Sequence, residues 1–302
     1  MSAEASSLKS IVFALAANAA IAAAKLGAAL HTGSNAMLAE AVHSFADCGN
    51  QGLLLLGLKQ AGRPPSPDHP LGHGKTIYFW SFIVALILFS MGGLFSIYEG
   101  LHKLETHEGL ESVWLALLIL GFSIAAETVS LYGCLREINK LRGRKSLWRW
   151  FRESRRSELI VVLGEDLAAL AGLLLALAAI VLVIVTGDAV YDAIGSIAIG
   201  VLLVAVAIGI GIEIKGLLIG QSVEPEVRQA IHGFLEGREE IRRVFNLITF
   251  QLGEDVMVAV KAEMRARDAV PGLLQDINRC EAALKQTFPR VRWVFFEPDT
   301  ED

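Results

Sequence analysis

His43 and Asp47 stand four residues apart within SNAMLAEAVHSFADCGNQGLLLLGLKQ, from Ser34 to Gln60. On a helix that spacing stacks an imidazole and a carboxylate on one face. Such a pair forms half of a tetrahedral site for zinc or a similar divalent ion. Glu40 and Asn50 extend the same polar region. The surrounding stretch is apolar and long enough to cross a bilayer as a helix, which needs about 20 residues. An ionisable group at membrane depth costs about 2.5 kcal/mol or more and by default marks a functional site. The plainer alternative is that His43 and Asp47 hydrogen-bond to each other or to a neighbouring helix. Glu40 and Asn50 make packing alone an expensive explanation.

Glu165 and Asp166 are set in SELIVVLGEDLAALAGLLLALAAI, with apolar residues for many positions on either side. Adjacent helical residues diverge by about 100°, so at most one of the two faces a shared site directly. Two carboxylates side by side in hydrocarbon repel unless a cation or a proton lies between them. The pair is therefore a natural place for metal–proton exchange; the alternative is a structural role for both. Glu127, a lone carboxylate in another apolar segment, and Lys25 read as a structural pair or a proton relay rather than as ligands. A third cluster, Asp68, His69 and His73, lies in GRPPSPDHPLGHGK, where the prolines prevent helix continuation. It can bind a metal weakly at the mouth of a pathway, or form a tight turn with solvated histidines. No strand precedes these glycines, so they do not form a phosphate loop.

Six apolar segments position these groups: Ser10 to Leu30, which contains Asn18 and Lys25, then the stretch above, Ile77 to Leu101, Val113 to Leu135, Leu159 to Thr186, and Ala189 to Ile212. Lysine and arginine gather at Lys9, Lys59 to Lys75 and Arg136 to Arg156, while the alternate connections are short and neutral or acidic. The positive-inside rule then places both termini in the cytoplasm, which requires an even number of crossings. Arg136 to Arg156, the most basic stretch, reads as a topology anchor on anionic lipid with Trp148 and Trp150 at the interface; a regulatory role is the alternative. The N-terminal run reads as the first membrane helix rather than a removed leader.

Composition agrees with a membrane protein carrying a soluble attachment. Of 302 residues, 53% are hydrophobic and only 20% charged, against about 25% charge in an average soluble domain. A net charge of -5 gives no footprint for nucleic acid. Cys48, Cys134 and Cys280 are odd in number and far apart, so no disulfide framework is expected. From Ser222 onward the chain is charged and short-period. Glu224 to Glu236 reads as a helix, Arg243 to Leu252 and Asp255 to Met264 as strands joined at Gly253-Glu254, Pro271 to Phe288 as a helix, and Arg290 to Glu297 as a strand. The order α-β-β-α-β suits helices on one face of a small sheet. Residues 1–220 are thus a six-helix transmembrane domain and 221–302 a cytoplasmic domain, small enough that pairing with a second copy is expected.

Six spans, the Glu40-x-x-His43-Ser44-x-x-Asp47 run, the HPLGHGK loop, the YDAIGSIAIG run and the terminal α+β domain together resemble the cation diffusion facilitator family. The Thr76 to Gly100 stretch looks most like the branch containing zinc transporter nine and its bacterial relatives. The resemblance implies a homodimeric exporter of Zn²⁺ or similar ions, driven by proton antiport, in a membrane of bacterial inner-membrane type. It implies no prosthetic group: the ion is the cargo. It further implies a transport site between the second and fifth spans and a ferredoxin-like cytoplasmic domain. Carried over residue by residue, the ligands are His43, Asp47 and Asp166, while the fourth position falls on Val162, which cannot ligate. Glu165 is the substitute, with water or Asn50 completing the shell. An oxygen-richer site admits Mn²⁺, Co²⁺ or Cd²⁺ more readily. His69 and His73 match the family's loop site, with Asp68 compensating for Ser66 at its acidic position. In the soluble domain the family's histidine positions read Phe245, Lys261 and Phe295 or Phe296, and His232 is its sole histidine. Dimerisation without metal is therefore expected. A non-transporting metal-responsive scaffold and a membrane enzyme with a metal-activated water are the competing classes.

Overall fold

The computed structural model describes residues 3–32, 35–106, 113–267 and 269–301; side chains at 3–7, 9–10, 17, 32, 35–40, 42–43, 46, 106, 113 and 115 stand outside the description. Apolar runs of Leu, Ala, Ile and Val form the long helices α1 (Ala3–Thr32), α2 (Asn35–Ala61), α5 (Val113–Leu141), α7 (Ser157–Thr186) and α8 (Val190–Ile219). Between α2 and α5 runs a continuous rod made of α3 (Thr76–Ile87), a π-helical segment (Leu88–Leu94) and α4 (Phe95–Thr106). α7 stops at Gly187, whose φ of +74 is the left-handed cap that glycine adopts without strain. A short helix, α6 (Leu147–Glu153), begins at Ser146, whose hydroxyl accepts from the Arg149 N–H at 3.2 Å.

Five helical runs among the described residues are long and apolar enough to cross a membrane: Ile11–His31, Thr76–Glu105, Ala116–Leu141, Ser157–Thr186 and Val190–Ile219. α2 has the length, at 27 residues, but its polar side chains keep it out of that set. It packs along α1 and α3. α5 packs on α1 and α7, and α8 lies against α7 and the α3–α4 rod. That last contact is close enough that a Cβ on Gly200 would fall 2.7 Å from the carbonyl oxygen of Gly93 in the π-helical segment.

The C-terminal residues build a separate core. α9 (Pro225–Glu236) leads into β1 (Ile241–Leu252) and β2 (Asp255–Met264), an antiparallel hairpin turning at Gly253 with φ +69. α10 (Val270–Thr287) then crosses to β3 (Val291–Pro298), which pairs parallel to β2. Ile231 and Leu235 of α9, Val258 and Val260 of β2 and Cys280 and Leu284 of α10 are buried together under one face of the sheet. Alternation along the strands leaves Ile248, Ala259 and Phe295 side by side on the other face, with Ile248 and Phe295 more than half exposed.

The two cores meet through a tight set of polar contacts. The Gly253 N–H donates to the fully buried Tyr78 hydroxyl at 3.0 Å, Lys75 Nζ donates to the Leu218 carbonyl at 2.6 Å, and Arg155 Nε donates to the Ser222 carbonyl at 2.7 Å. At Gly74 a Cβ would lie 2.0 Å from the Leu252 carbonyl oxygen. Gly74→Ala is therefore expected to push the hairpin tip off the bundle at a cost of about 1–3 kcal/mol. Faster hydrogen exchange at Leu252 and Gly253, with the cores of β1 and β2 unchanged, is the readout; unaltered exchange at the tip would refute it.

The basic stretch from Arg136 to Arg156, expected to anchor the chain on anionic lipid, is also tied to acids of the protein itself. Lys145 Nζ lies 3.1 Å from Glu153, 3.3 Å from Glu224 and 2.7 Å from Glu226; Arg149 pairs with Glu153 and Glu226, and Arg152 with Glu213. Trp148 is 72% exposed, as an interfacial residue would be, but Trp150 is only 4% exposed and belongs to the bundle core. Sequence shows the excess of cations and the nearby Glu153, whereas Glu213, Glu224 and Glu226 come from elements distant in the chain. Hydrogen bonds from Arg149 and then Lys145 hold the Glu153 carboxyl below its ordinary value of 4.5, and Lys145 does the same for Glu226. A carboxylate held low in the folded state stabilises it above the ordinary value and ceases to as the pH falls through the lowered one. The clasp is thus complete near neutrality and opens below about pH 4.5. Hydrogen exchange of α6 and the first turn of α9, corrected for intrinsic rate, should rise in acid before that of the sheet does.

Candidate functional site

Asp47, Asn50 and Gln51 fall at positions i, i+3 and i+4 of α2 and so share one face. Asn50 is 2% exposed and Gln51 fully buried. Asn50 Nδ2 donates to Glu165 Oε1 at 3.0 Å, and Gln51 Nε2 donates to Glu165 Oε2 at 2.9 Å. Both oxygens of this buried carboxylate on α7 therefore accept an amide N–H from α2. Asn18 of α1 closes the network, donating through Nδ2 to Gln51 Oε1 at 3.2 Å. Asn50 Oδ1, buried beside it, has no hydrogen-bond partner among the described residues.

The acidic pair splits between two neighbours. Asp166, 2% exposed, faces α5, where the Ser130 hydroxyl reaches both of its oxygens at 3.2 Å. Glu127, three residues before Ser130 on α5, is buried too. Its charge interacts with Asp47 and Lys25 as well as with Asp166 and Glu165. Asp47, half-buried, also acts on Glu165. Four carboxylates from α2, α5 and α7 thus feel one another across the bundle interior, with Lys25 of α1 as a counter-charge. Such a set attracts a cation strongly, because the attraction between charges rises as water is withdrawn.

The position of each expected ligand can be stated. His43 and Glu40 lie on α2, but their side chains are outside the described residues. Asp47, Glu165 and Asp166 are in one region, with Glu165 rather than Asp166 hydrogen-bonded to α2. Val162 is fully buried in the apolar core. Among the described residues no three His, Cys, Asp or Glu side chains converge closely enough to hold an ion. Sequence reasoning missed Gln51, which follows Asp47 by four residues, and Ser130. Asn18 it noted only as a polar residue in the first span.

In the loop, the His69 and His73 rings lie 4.3 Å apart at 34°. Ser66 and His69 exchange backbone hydrogen bonds of 3.1 and 3.0 Å, which closes a turn, and Asp68 is exposed. In the C-terminal module Lys261 Nζ pairs with Asp299 at 3.1 Å, and His232 lies 3.4 Å from Glu236.

Residues 11–218, more than half of the chain, match the cation efflux transmembrane domain family. The chain belongs to the cation efflux family. This cation diffusion facilitator is 36% identical over 242 residues to the proton-coupled zinc antiporter SLC30A9 of Xenopus laevis, covering 80% of this chain and 43% of that protein. It is 32% identical to metal tolerance protein C4 of Arabidopsis thaliana, over 80% of this chain and 53% of that protein. It is also 26% identical to the cation-efflux pump FieF of Serratia proteamaculans, over 88% and 83% respectively. The chain thus spans about half the length or less of the first two relatives. Within the family it stands near the zinc transporter nine branch, and the family is one of transporters, not enzymes. As a cation efflux protein it carries its buried carboxylates inside the matched domain, on α5 and α7, with the half-buried Asp47 on α2.

Proposed function

We propose that this chain exports divalent cations, Zn²⁺ foremost, in exchange for protons, through a site between α2 and α7. One observation carries the reading: Glu127, Glu165 and Asp166 are each at most 6% exposed in an apolar bundle, and the field of Asp47 reaches into the same region. Buried anions this dense are tolerable when a cation visits them. His43, Asp47 and Asp166 are the ligands the family pattern assigns, and Glu165 stands in for the carboxylate or imidazole lost at Val162. Ligands must be deprotonated to bind, so an ion entering the site releases protons and returning protons release the ion. The names of the SLC30A9 relatives, proton-coupled zinc antiporters, support this coupling.

The oxygen and amide groups around Glu165 favour a second reading of the cargo, in which Mn²⁺, Co²⁺ or Cd²⁺ passes as readily as Zn²⁺. α2 completes six crossings, with both termini and the loop pair His69–His73 on the cytoplasmic side. Asp68, exposed beside that pair, is its acidic partner. Residues 221–302 form a ferredoxin-like module that pairs with a second copy through the open sheet face at Ile248, Ala259 and Phe295. No histidine stands there, and Lys261 is already paired with Asp299, so the pairing needs no metal. Reconstitution into sealed liposomes tests the whole reading. Zn²⁺ uptake should follow an imposed pH gradient and collapse when the gradient is dissipated. Uptake indifferent to the gradient would remove the proton coupling, and absence of flux for every ion in a Zn²⁺, Mn²⁺, Co²⁺ and Cd²⁺ panel would leave a scaffold.

A further inference from the structure

Among the described residues no hydrogen-bond donor faces the amide oxygen of Asn50. Asn50 Nδ2 donates to Glu165 Oε1 at 3.0 Å, the turn of the amide that an ionised carboxylate there requires. Oδ1 is then left buried with no partner among the described residues, in a side chain only 2% exposed. A buried acceptor left unsatisfied costs about 1–3 kcal/mol, so something intermittently present is the natural partner. The surroundings say what kind. Asp47 lies one helical turn before Asn50, and Glu165 and Glu127 add negative potential. Another hydrogen-bond acceptor is excluded by chemistry, whereas a dication is attracted both by the carboxylates and by the carbonyl dipole.

Glu165 is meanwhile occupied on both oxygens, by Asn50 and by Gln51, with Gln51 itself tied to Asn18. Its carboxylate orients the amide, and each of its oxygens keeps a lone pair beyond that bond for an ion. We infer that Asn50 is an ion ligand and a specificity-determining residue, its amide oxygen adding a neutral donor beside the Glu165 carboxylate that stands in for the lost ligand at Val162. The inference rests on the reading of the α2–α7 region as an ion path. An amide oxygen is a hard, neutral donor, so its presence in place of an imidazole or a second charge narrows the preference for Zn²⁺ over Mn²⁺.

The test is direct binding of Zn²⁺ and of Mn²⁺ to the full-length protein in detergent, by equilibrium dialysis, with unfolding curves confirming that each variant is folded. Asn50→Leu, which keeps the volume and removes the oxygen, should weaken both ions by about 10- to 100-fold. Asn50→Asp restores an oxygen and should recover Mn²⁺ binding. Asn50→His should recover Zn²⁺ but not Mn²⁺, moving the ratio of the two affinities by about tenfold or more. A residue that only positions Glu165 would shift both ions together, so an unchanged ratio across the Leu, Asp and His variants overturns the inference. If Asn50→Leu binds both ions within about twofold of the parent while Asp47→Ala does not, the amide oxygen is no ligand but the ion path stands. Binding that survives Asp47→Ala as well removes the ion path, and this inference with it.

Discussion

Asp47→Ala is expected to lower proton-driven Zn²⁺ flux into liposomes by about 100-fold or more, with the protein still folded and inserted. Substitutions that merely disturb the surroundings of a metal ligand cost about 10- to 100-fold in affinity, and removal of the ligand itself should cost at least that. Asp47 is the charge that α2 presents on the face where Asn50 and Gln51 reach across to Glu165. It is only half-buried, so its loss does not open a cavity in the core. Asp68→Ala, in the exposed turn beside His69, removes the acid of the weaker loop site and should alter flux by less than about threefold, because an exposed carboxylate is screened by water. Equal flux from the parent protein and Asp47→Ala would remove α2 from the ion path. A loss at Asp68 as large as that at Asp47 would move the decisive site to the loop.

Glu165→Leu is expected to destabilise the bundle by about 2–4 kcal/mol, and Glu165→Gln by roughly half as much. Two estimates bracket the first figure. Interhelical hydrogen bonds in membrane proteins are each worth about 0.6 kcal/mol on average and about 1.7 at most, so losing two gives about 1–3 kcal/mol. Leaving the Asn50 and Gln51 amide donors buried without acceptors adds a penalty of about 1–3 kcal/mol each where nothing relaxes to meet them. The amide variant retains one oxygen for one of the two donors, which explains the intermediate effect. The same physics predicts coupling: once Glu165 is gone, Gln51→Leu removes an already orphaned amide N–H and should cost little beyond the Asn18 bond to its oxygen. Reversible unfolding in mixed detergent micelles, run as a double-mutant cycle, measures this. Additivity of the two substitutions within about 0.5 kcal/mol would show that the bonds of 3.0 and 2.9 Å contribute nothing to stability.

The residues that were easy to read in the sequence share one property: an ionisable group among apolar neighbours needs no partner to be conspicuous. Asp47, Glu127, Glu165 and Asp166 stand out in this way, as does the alternation of α7 and α8 with short polar turns. The αββαβ order of the C-terminal module was legible for a similar reason, since the strand period and the turn at Gly253 are local signals. Ends were less legible. α5 runs on to Leu141 and α8 to Ile219, beyond the apolar runs, because the last turns of both helices pack into the buried core at Ile138, Ile214 and Leu217.

The sequence by itself determined that this is a chain of apolar helices with carboxylates inside them, followed by a small α+β module, because composition and period are properties of single segments. The tertiary structure alone decided which neighbour each polar group meets. It turned Glu165 toward Asn50 and Gln51 and Asp166 toward Ser130, because adjacent positions on α7 point to different helices. It also brought Lys145 of the basic 136–156 stretch onto Glu224 and Glu226. Pairing between residues far apart in the chain depends on how helices pack, and packing is a property of the whole bundle rather than of any one segment.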